Sequence, residues 1–178
     1  MNEIVTERLI IRNFKENDWE DILEYLSDED VIKYSPYEKY NEEMAKIEVK
    51  KRVGTDDILA VCLNDNSKVI GELIYEKGEF DAMEIGFFFN PQYQGKGYAM
   101  ESAGALIHFA FKTQGIRRIT ARCDSLNVKS GKLLERLKMR KEGELKKHIY
   151  FKYDALGDPI WADTCLYGIL RDEWEQVY

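Results

Sequence analysis

A glycine-containing loop joins an apolar strand to a helix near the middle of the chain, and this junction constrains the fold more than any other segment. Residues 87–100 read FFFNPQYQGKGYAM. Gly95 and Gly97 lack a Cβ, so the backbone at these positions is able to approach a ligand closely. The helix that follows presents unpaired N–H groups and the positive end of its dipole. This combination predicts a phosphate-binding loop.

The loop fits neither of two common nucleotide-binding patterns. A nucleotide-hydrolase loop requires GxxxxGK[ST], which this segment lacks. The dinucleotide pattern GxGxxG fails because Met100 stands three residues after Gly97. The preceding strands also resemble hairpins rather than the parallel strands of a βαβ unit. Taken alone, the two glycines are equally typical of a tight turn, so that alternative stays open at this point.

Hydrophobic patterning divides the first half of the chain into strands and two helices. Apolar runs and alternations predict strands at residues 6–13, 58–63, 69–75 and 83–89. Asn17 is a candidate N-cap for the first helix, with Glu20 as its capping-box partner. Asn41 is the candidate cap of the second helix, which ends near residue 54. The apolar face of that second helix is thin and consists of Met44, Ile47 and Val53.

The second half of the chain alternates helices and strands. Apolar residues on one face predict helices at residues 99–110 and 128–137, the latter capped by Asn127. A strand is expected at residues 119–123, and a closing hairpin at residues 145–153 and 160–170. Because no repeat or linker interrupts this series, we expect residues 1–178 to form a single α/β domain.

Charge is distributed unevenly along the chain. The net charge of −7 argues against broad binding to nucleic acid through phosphate neutralisation. Residues 112–152 carry 13 basic and four acidic side chains, whereas the first 81 residues carry 11 basic and 21 acidic ones. We interpret the basic block as a candidate anion site facing a cation site, although ordinary solvated helix faces produce similar blocks.

Several classes of protein and site are disfavoured by what the sequence lacks. The opening residues lack the basic flank and the long apolar run of a signal peptide, and no window of about 18 residues is apolar throughout, so we expect a cytoplasmic protein without membrane contact. The cysteines, Cys62, Cys123 and Cys165, are too far apart for a metal or redox motif, and we expect core thiols rather than nucleophiles. His108 and His148 lack ligand-spaced partners, so no metal site is expected.

With the elements in place, the loop QYQGKG fits the Gln/Arg-x-x-Gly-x-Gly/Ala motif, and the chain resembles the GNAT superfamily of acyl-CoA-dependent N-acetyltransferases. The wider match includes EIGFFFNPQYQGKGYAMES, the segment Asn127-Val128-Lys129-Ser130 and residues 163–174, while the opening TERLIIRNF is also similar. These segments look like the Rim-type branch, which acetylates ribosomal-protein N-termini and other amines. The resemblance implies a mixed, mostly antiparallel central sheet, splayed at the cofactor site and flanked by helices.

The resemblance implies that acetyl-CoA is the cosubstrate and lies along the strand at residues 83–89. In the family, backbone groups at positions matching Phe87 and Phe89 pair with the pantetheine and polarise the thioester carbonyl. The pyrophosphate is expected on the backbone amides of Gln94, Gly95, Lys96, Gly97, Tyr98 and Ala99. Asn127 matches a position that contacts the CoA arm, and Lys132 or Lys129 is expected to add charge near the phosphates.

Two residues are the candidates for acid–base chemistry. Glu84 is the candidate general base because it lies on the strand that the family uses to hold the thioester, although it also fits a solvent-facing or ion-paired residue. Many relatives place a tyrosine acid seven residues after the position of Asn127, where this chain has Leu134. In the Rim-type branch a serine takes that role, and Ser130 matches it. Glu101 is expected to complement the helix dipole.

We therefore expect an enzyme that transfers acetyl from acetyl-CoA to a primary amine, either a protein N-terminus or a small molecule, by direct attack in a ternary complex. The aromatic connection that contains Tyr34, Pro36, Tyr37 and Tyr40 is interpreted either as an acceptor wall or as packing. Two alternatives stay open: a noncatalytic acyl-CoA-binding regulatory module, and a protein-interaction domain without a CoA site. The sequence does not identify the acceptor amine. It does not determine the oligomeric state either, and a homodimer is one of the states that it allows.

Overall fold

One mixed sheet of eight strands runs through residues 1–176, the part of the chain that this computed structural model describes. The strands are β1 (Ile4–Val5), β2 (Leu9–Asn13), β3 (Ile58–Leu63), β4 (Val69–Lys77), β5 (Ala82–Phe89), β6 (Arg118–Asp124), β7 (Arg140–Tyr153) and β8 (Pro159–Leu170). The helices are α1 (Trp19–Leu26), α2 (Glu29–Ile32), α3 (Glu42–Arg52), α4 (Tyr98–Lys112), α5 (Val128–Arg136) and α6 (Arg171–Glu175). Short 3₁₀ turns cover Glu16–Asp18 and Pro91–Tyr93.

The strand order β1-β2-β3-β4-β5-β6-β8-β7 places the single parallel pair of the described sheet, β5 and β6, near its middle. Every other neighbouring pair is antiparallel. The parallel pairing ends where Ile85 meets Ala121, although β5 continues to Phe89 and β6 to Asp124. Beyond that point the two strands diverge, and the expected mixed, splayed sheet is confirmed.

Helices cover both faces of the sheet and enclose two apolar clusters. Side chains of β5, α4 and α5 form the first cluster, which includes Ile85, Leu106 and Leu134. Side chains of α1, α3, β3 and β4 form the second, which includes Ile22 and Val49. Of these helices, α1 and α5 each bury a single apolar stripe, as amphipathic helices do at the surface of a sheet. The helices α4 and α5 thus cover one face of the sheet, and α1 and α3 cover the other.

Locally encoded turns and caps agree with the sequence predictions. The β3–β4 hairpin forms around residues 64–67, with Ser67 in the left-handed region at φ 60°. The closing hairpin of β7 and β8 turns at Gly157, whose φ is 86°. The Asn41 side chain accepts the N–H of Met44 at 2.9 Å, and Asn127 caps α5 in the same way. Both predicted caps are confirmed.

The predicted cap of the first helix is wrong. Asn17 lies inside a 3₁₀ turn, and α1 begins only at Trp19. The side chain that organises this entry is Asp18, whose carboxylate accepts two hydrogen bonds from the Arg12 guanidinium at 2.7 and 2.9 Å. Because this ion pair is buried and reaches back to β2, it sets the start of the helix in place of the local capping box at Glu20.

The predicted apolar face of α3 is also wrong. Ile47 is 49% exposed and Val53 is 39% exposed, whereas the helix buries Ala45, Val49 and Arg52. Arg52 turns inward because it has a buried carboxylate to pair with, a partner that helical periodicity does not reveal. The short helices α2 and α6, four and five residues long, were not predicted.

Candidate active site

The divergence of β5 and β6 opens a cleft in the middle of the sheet. Its volume of about 1660 Å³ exceeds the roughly 300–1,000 Å³ of pockets for drug-sized ligands. One wall is the carboxyl-terminal half of β5, and the other walls come from α2, the start of α4, the end of β6 and α5. The cleft is therefore large enough for a long ligand together with a second molecule.

The free edge of β5 faces this cleft. The Asn90 N–H donates to the Ile70 carbonyl in β4 at 2.9 Å. Because backbone groups alternate between the two edges of a strand, those of Phe87 and Phe89 point away from β4, toward the side that β6 has left. The Phe89 carbonyl accepts the side-chain amide of Gln94 at 3.0 Å. Phe87 thus offers backbone groups to the cleft, as expected.

The glycine loop presents a row of unpaired N–H groups at the start of α4. Gly95 and Gly97 have φ values of 75° and 87°, a region that favours glycine. The N–H of Gln94, which we expected to face the pyrophosphate, donates instead to the Pro91 carbonyl at 3.2 Å. Within the described residues, the N–H groups of residues 95–100 make no hydrogen bond, and the helix ladder begins when Glu101 donates to Gly97 at 3.0 Å. A row of this kind at the start of a helix is suited to bind an anion.

Side chains from the start of the chain support the loop from behind. Arg8 donates to the Lys96 carbonyl at 3.0 Å and forms an ion pair with Glu101 at 2.6 Å. Its guanidinium also lies 4.6 Å from the centre of the Tyr98 ring. Burial acts to raise the pKa of Glu101, but hydrogen bonds from Thr6 and Arg8 outweigh it and lower that pKa. Sequence reasoning missed this support, since the pairs span more than 80 positions.

The first turn of α5 forms another wall of the cleft. The Asn127 side chain accepts the N–H of Ser130 at 3.2 Å, and both residues line the cleft. The Ser130 hydroxyl makes no hydrogen bond within residues 1–176. Lys129 and Lys132 also line the cleft and are exposed, without an ion pair to any residue of that range. The start of α5 therefore contributes the hydroxyl of Ser130 and the ammonium groups of Lys129 and Lys132 to this wall of the cleft.

Glu84 lies on the opposite side of β5 from Phe87 and is paired. The Arg122 side chain donates to its carboxylate at 2.8 Å, and both residues line the cleft. The side chain of Glu84 is 29% exposed and that of Arg122 is 51% exposed. The structure thus places Glu84 at the diverging strands and also gives it the ion-pair partner that the alternative interpretation required.

The aromatic residues after α2 have two different positions: some line the cleft, and others pack against neighbouring aromatic rings. Tyr34 lines the cleft, whereas Tyr37 packs on Phe88 with ring centres 5.3 Å apart and on Tyr40 at 5.9 Å. Pro36 is exposed and lies outside the cleft lining. Five acidic side chains also line the cleft, namely Asp28, Asp30, Glu76, Glu84 and Asp124, and two of them, Glu84 and Asp124, share a smaller cavity with Tyr34. Lys33, whose ammonium lies 5.2 Å from the centre of the Tyr34 ring, and Arg122 line the cleft as well. The lining therefore combines acidic side chains, some of them beside Tyr34, with the lysines of α5.

The cysteines occupy less uniform positions than expected. Cys62 and Cys165 are buried, but Cys123 is only half-buried and lines the cleft. Burial raises the pKa of Cys62 to about 12 and that of Cys123 to about 11. The Cys123 thiol is therefore protonated near neutral pH and unsuited to act as a nucleophile.

The basic block at residues 112–152 is divided between two surfaces. Lys129 and Lys132 face the cleft, whereas Lys141 and Lys146 pair with acidic residues of the β7–β8 hairpin. Only part of the basic block therefore lines the cleft. Within residues 1–176 no three His, Cys, Asp or Glu side chains are grouped to hold a metal ion. None of the helices described there is long and apolar enough to span a membrane.

Comparisons with known proteins agree with this geometry. Residues 8–140 match the family model described as the acetyltransferase (GNAT) domain. Over 174 residues the chain is 40% identical to the uncharacterized N-acetyltransferase YnaD of Bacillus subtilis (strain 168), covering 96% of this chain and 98% of that protein. Over 113 residues it is 33% identical to the ribosomal protein uS5-alanine N-acetyltransferase of Escherichia coli (strain K12), covering 62% of this chain and 55% of that protein.

A solved structure shows the same architecture along almost the whole chain. The crystal structure of the acetyltransferase (GNAT family) from Bacillus anthracis is 37% identical and superposes with a TM-score of 0.88. The match covers 97% of this chain and 100% of that chain.

Proposed function

Because this chain belongs to the GNAT family of acetyltransferases and is an acetyl-CoA-dependent N-acetyltransferase, we propose that it acetylates the α-amine of a peptide or protein N-terminus. The observation that carries the proposal is a single cleft with two different ends. We assign the row of free N–H groups and the α5 lysines to the first end, and Tyr34 with its acidic neighbours Glu84 and Asp124 to the second end. Family membership selects the enzyme among the three classes that the sequence left open.

The first end of the cleft is the proposed binding site for acetyl-CoA. The pyrophosphate binds the N–H groups of residues 95–99, while Lys132 and Asn127 contact the rest of the phosphate-bearing arm. The pantetheine follows the free edge of β5, with the backbone of Phe87 as its nearer partner, because the Phe89 carbonyl already accepts Gln94. This arrangement brings the thioester to the point where β5 and β6 diverge.

The second end is the proposed site for the acceptor amine. Acidic side chains attract a cation and raise its local concentration. An α-amine has a pKa of about 7.7–8.0 and is partly neutral at physiological pH, whereas a lysine amine near 10.4 is almost fully charged. The relative from Escherichia coli acetylates an alanine of a ribosomal protein, by its name. These points together favour an N-terminal α-amine over a lysine side chain.

The proposed chemistry is direct attack of the neutral amine on the thioester. An ammonium loses two protons when it becomes an amide, of which one ends on the CoA sulfur and the other in solvent. Glu84 is the proposed general base at the thioester, and Ser130 donates a hydrogen bond to the departing sulfur and relays its proton. An acetyl-cysteine intermediate is disfavoured, because burial raises the pKa of the cleft thiol of Cys123 to about 11.

The proposal is tested with purified protein, acetyl-CoA and a panel of amines. The panel contains peptides that begin with alanine or serine, the same peptides with blocked N-termini, spermidine and Nα-acetyl-lysine, whose only amine is that of the side chain. Release of CoA thiol and the mass of the product report turnover. We expect acetylation of the free peptides only. Acetylation confined to spermidine or Nα-acetyl-lysine contradicts the proposed acceptor, and absence of CoA release with every amine contradicts the proposed function.

A further inference from the structure

A side chamber of about 210 Å³ adjoins the acceptor end of the cleft. It shares five wall residues with the cleft, namely Tyr34, Glu84, Arg122, Cys123 and Asp124. Its remaining wall comes from the β7–β8 hairpin: His148, Ile149, Phe151, Ala162 and Thr164. The hairpin therefore contributes side chains to the region where the acceptor is proposed to bind.

An irregularity in β7 shapes this chamber. Leu145 pairs with Thr164 and Ile149 pairs with Ala162, so residues 146–148 all stand opposite Asp163. Within this bulge the backbone is in the left-handed region, with φ 47° at residue 147, which is costly for a side chain with a Cβ. The Asp163 carboxylate accepts the N–H of residue 147 at 2.8 Å and the ammonium of residue 146 at 2.9 Å. Specific contacts thus hold the bulge.

The bulge turns His148 into the chamber. Neighbouring residues of a regular strand face opposite sides of the sheet, yet His148 and Ile149 line the same cavity. The Nδ1 atom of His148 lies 3.0 Å from the hydroxyl of Thr164, which is 6% exposed. The Nε2 atom makes no hydrogen bond within the described residues. Bulges near active sites often re-aim a side chain in this way.

We propose that His148 is a catalytic residue that accepts the first proton of the acceptor ammonium, a role that rests on the proposed function. With Nδ1–H donating to Thr164, the Nε2 lone pair takes a proton from the ammonium. The N–H electron pair remains on the nitrogen and attacks the thioester carbon. Glu84 then takes the second proton when the amide forms. One proton reaches the CoA sulfur through Ser130, and the other leaves the exposed imidazole for solvent.

Other ionisable groups face the imidazole from each neighbouring element. Tyr34 lies on the connection after α2, and Glu84 lies on β5. From β6 come Arg122, Cys123 and Asp124. The bulge itself contains Lys146 and Lys147, opposite Asp163 on β8. Because Glu84 shares this chamber, the experiment must separate the two bases.

The kinetic test compares His148→Gln with His108→Gln. His108 is exposed on α4 and lines neither cavity, so it is a matched control. With a peptide that the wild type acetylates, we expect His148→Gln to lower kcat/KM for the acceptor at least about tenfold, with KM for acetyl-CoA within about twofold. We expect the acid limb of the pH–rate profile to change in His148→Gln. In Glu84→Gln we expect the acid limb to stay as in the wild type. An unchanged profile in His148→Gln overturns the proposal.

A spectroscopic measurement tests the same role without turnover. Nitrogen-15 imidazole spectra of the whole protein distinguish the two neutral tautomers. We expect the Nδ1–H form at His148, and its loss in Thr164→Val. An Nε2–H tautomer in the wild type overturns the proton-acceptor role. A wild type that releases no CoA contradicts the proposed function, whereas an active wild type with an unaffected His148→Gln contradicts only the role of His148.

Discussion

The hydroxyl of Ser130 is not needed to cap α5, because Asn127 already provides the cap. Asn127 already accepts the backbone N–H of Ser130 at 3.2 Å, so the start of α5 is capped without the serine hydroxyl. A serine in a first helical turn often bonds local backbone instead. Here the hydroxyl faces the cleft beside the diverging strands. Capping and the proposed proton relay therefore fall to different residues.

We expect Ser130→Ala to lower kcat about tenfold or more while KM for acetyl-CoA changes less than about twofold. The reason is that the variant removes the hydrogen bond to the departing sulfur and leaves the Asn127 cap intact. Steady-state kinetics with the acceptor peptide measure the effect. Ser130→Thr keeps the hydroxyl and should recover most of the activity. Wild-type kcat in the alanine variant removes the residue from the mechanism.

For single residues, hydrogen bonds to the nearby backbone were predictable from the sequence, whereas ion pairs and contacts between distant segments were not. Asn41 and Asn127 act on N–H groups three residues away, so their capping role is visible in the sequence. Asn17 has the same local signature, but Asp18 forms its ion pair with Arg12 on a strand. The position of Cys123 in the cleft wall also depends on where two strands diverge, which its apolar neighbours do not reveal.

The loop before α4 is an element whose shape depends on backbone conformation. Gly97 has φ 87°, and a Cβ there meets the Arg8 guanidinium at 3.3 Å. Gly157, in the β7–β8 turn, has nearly the same φ of 86° and nothing within 4 Å of an added Cβ. A substitution is therefore expected to cause similar backbone strain at both positions, but only Gly97 lies in the loop before α4.

We expect Gly97→Val to raise the Kd for acetyl-CoA at least about tenfold, because the side chain strains the left-handed backbone and displaces the row of N–H groups. Gly157→Val is the control and should leave that Kd within about twofold, even if stability falls. Isothermal titration with acetyl-CoA measures both. Equal affinities in the two variants would show that the loop does not hold the phosphates.

The same contrast explains which elements the sequence predicts. The β3–β4 hairpin and the buried stripe of α5 follow from short-range patterns, and both are confirmed. The inward face of α3 follows from the buried pair of Arg52 and Glu72, which lie on different elements. The bulge at residues 146–148 depends on a carboxylate across the hairpin. Pairings of this kind are set by tertiary structure, which overrides local propensity.

Across the whole molecule, a buried polar network connects the α1–α3 layer to the cleft strand. Arg52 is 1% exposed and donates to Glu72 at 2.5 Å and to the Tyr37 hydroxyl at 3.1 Å. Tyr25 also donates to Glu72 at 2.7 Å. Since Tyr37 packs on Phe88 of β5, the network reaches the strand that forms the cleft wall. The core of this layer thereby contacts a strand that lines the cleft.

We expect Arg52→Met to lower the free energy of unfolding by about 3–5 kcal/mol, because it leaves the buried carboxylate of Glu72 without its cation. The double variant Arg52→Met with Glu72→Gln should recover part of this loss, since position 72 then carries no unpaired buried charge. Lys51→Met changes the adjacent exposed residue of α3 and should cost at most about 1 kcal/mol. Urea denaturation measures all three. If Arg52→Met and Lys51→Met destabilise the protein equally, the buried pair does not hold the α1–α3 layer together, and the connection from Arg52 through Tyr37 to the cleft strand loses its energetic basis.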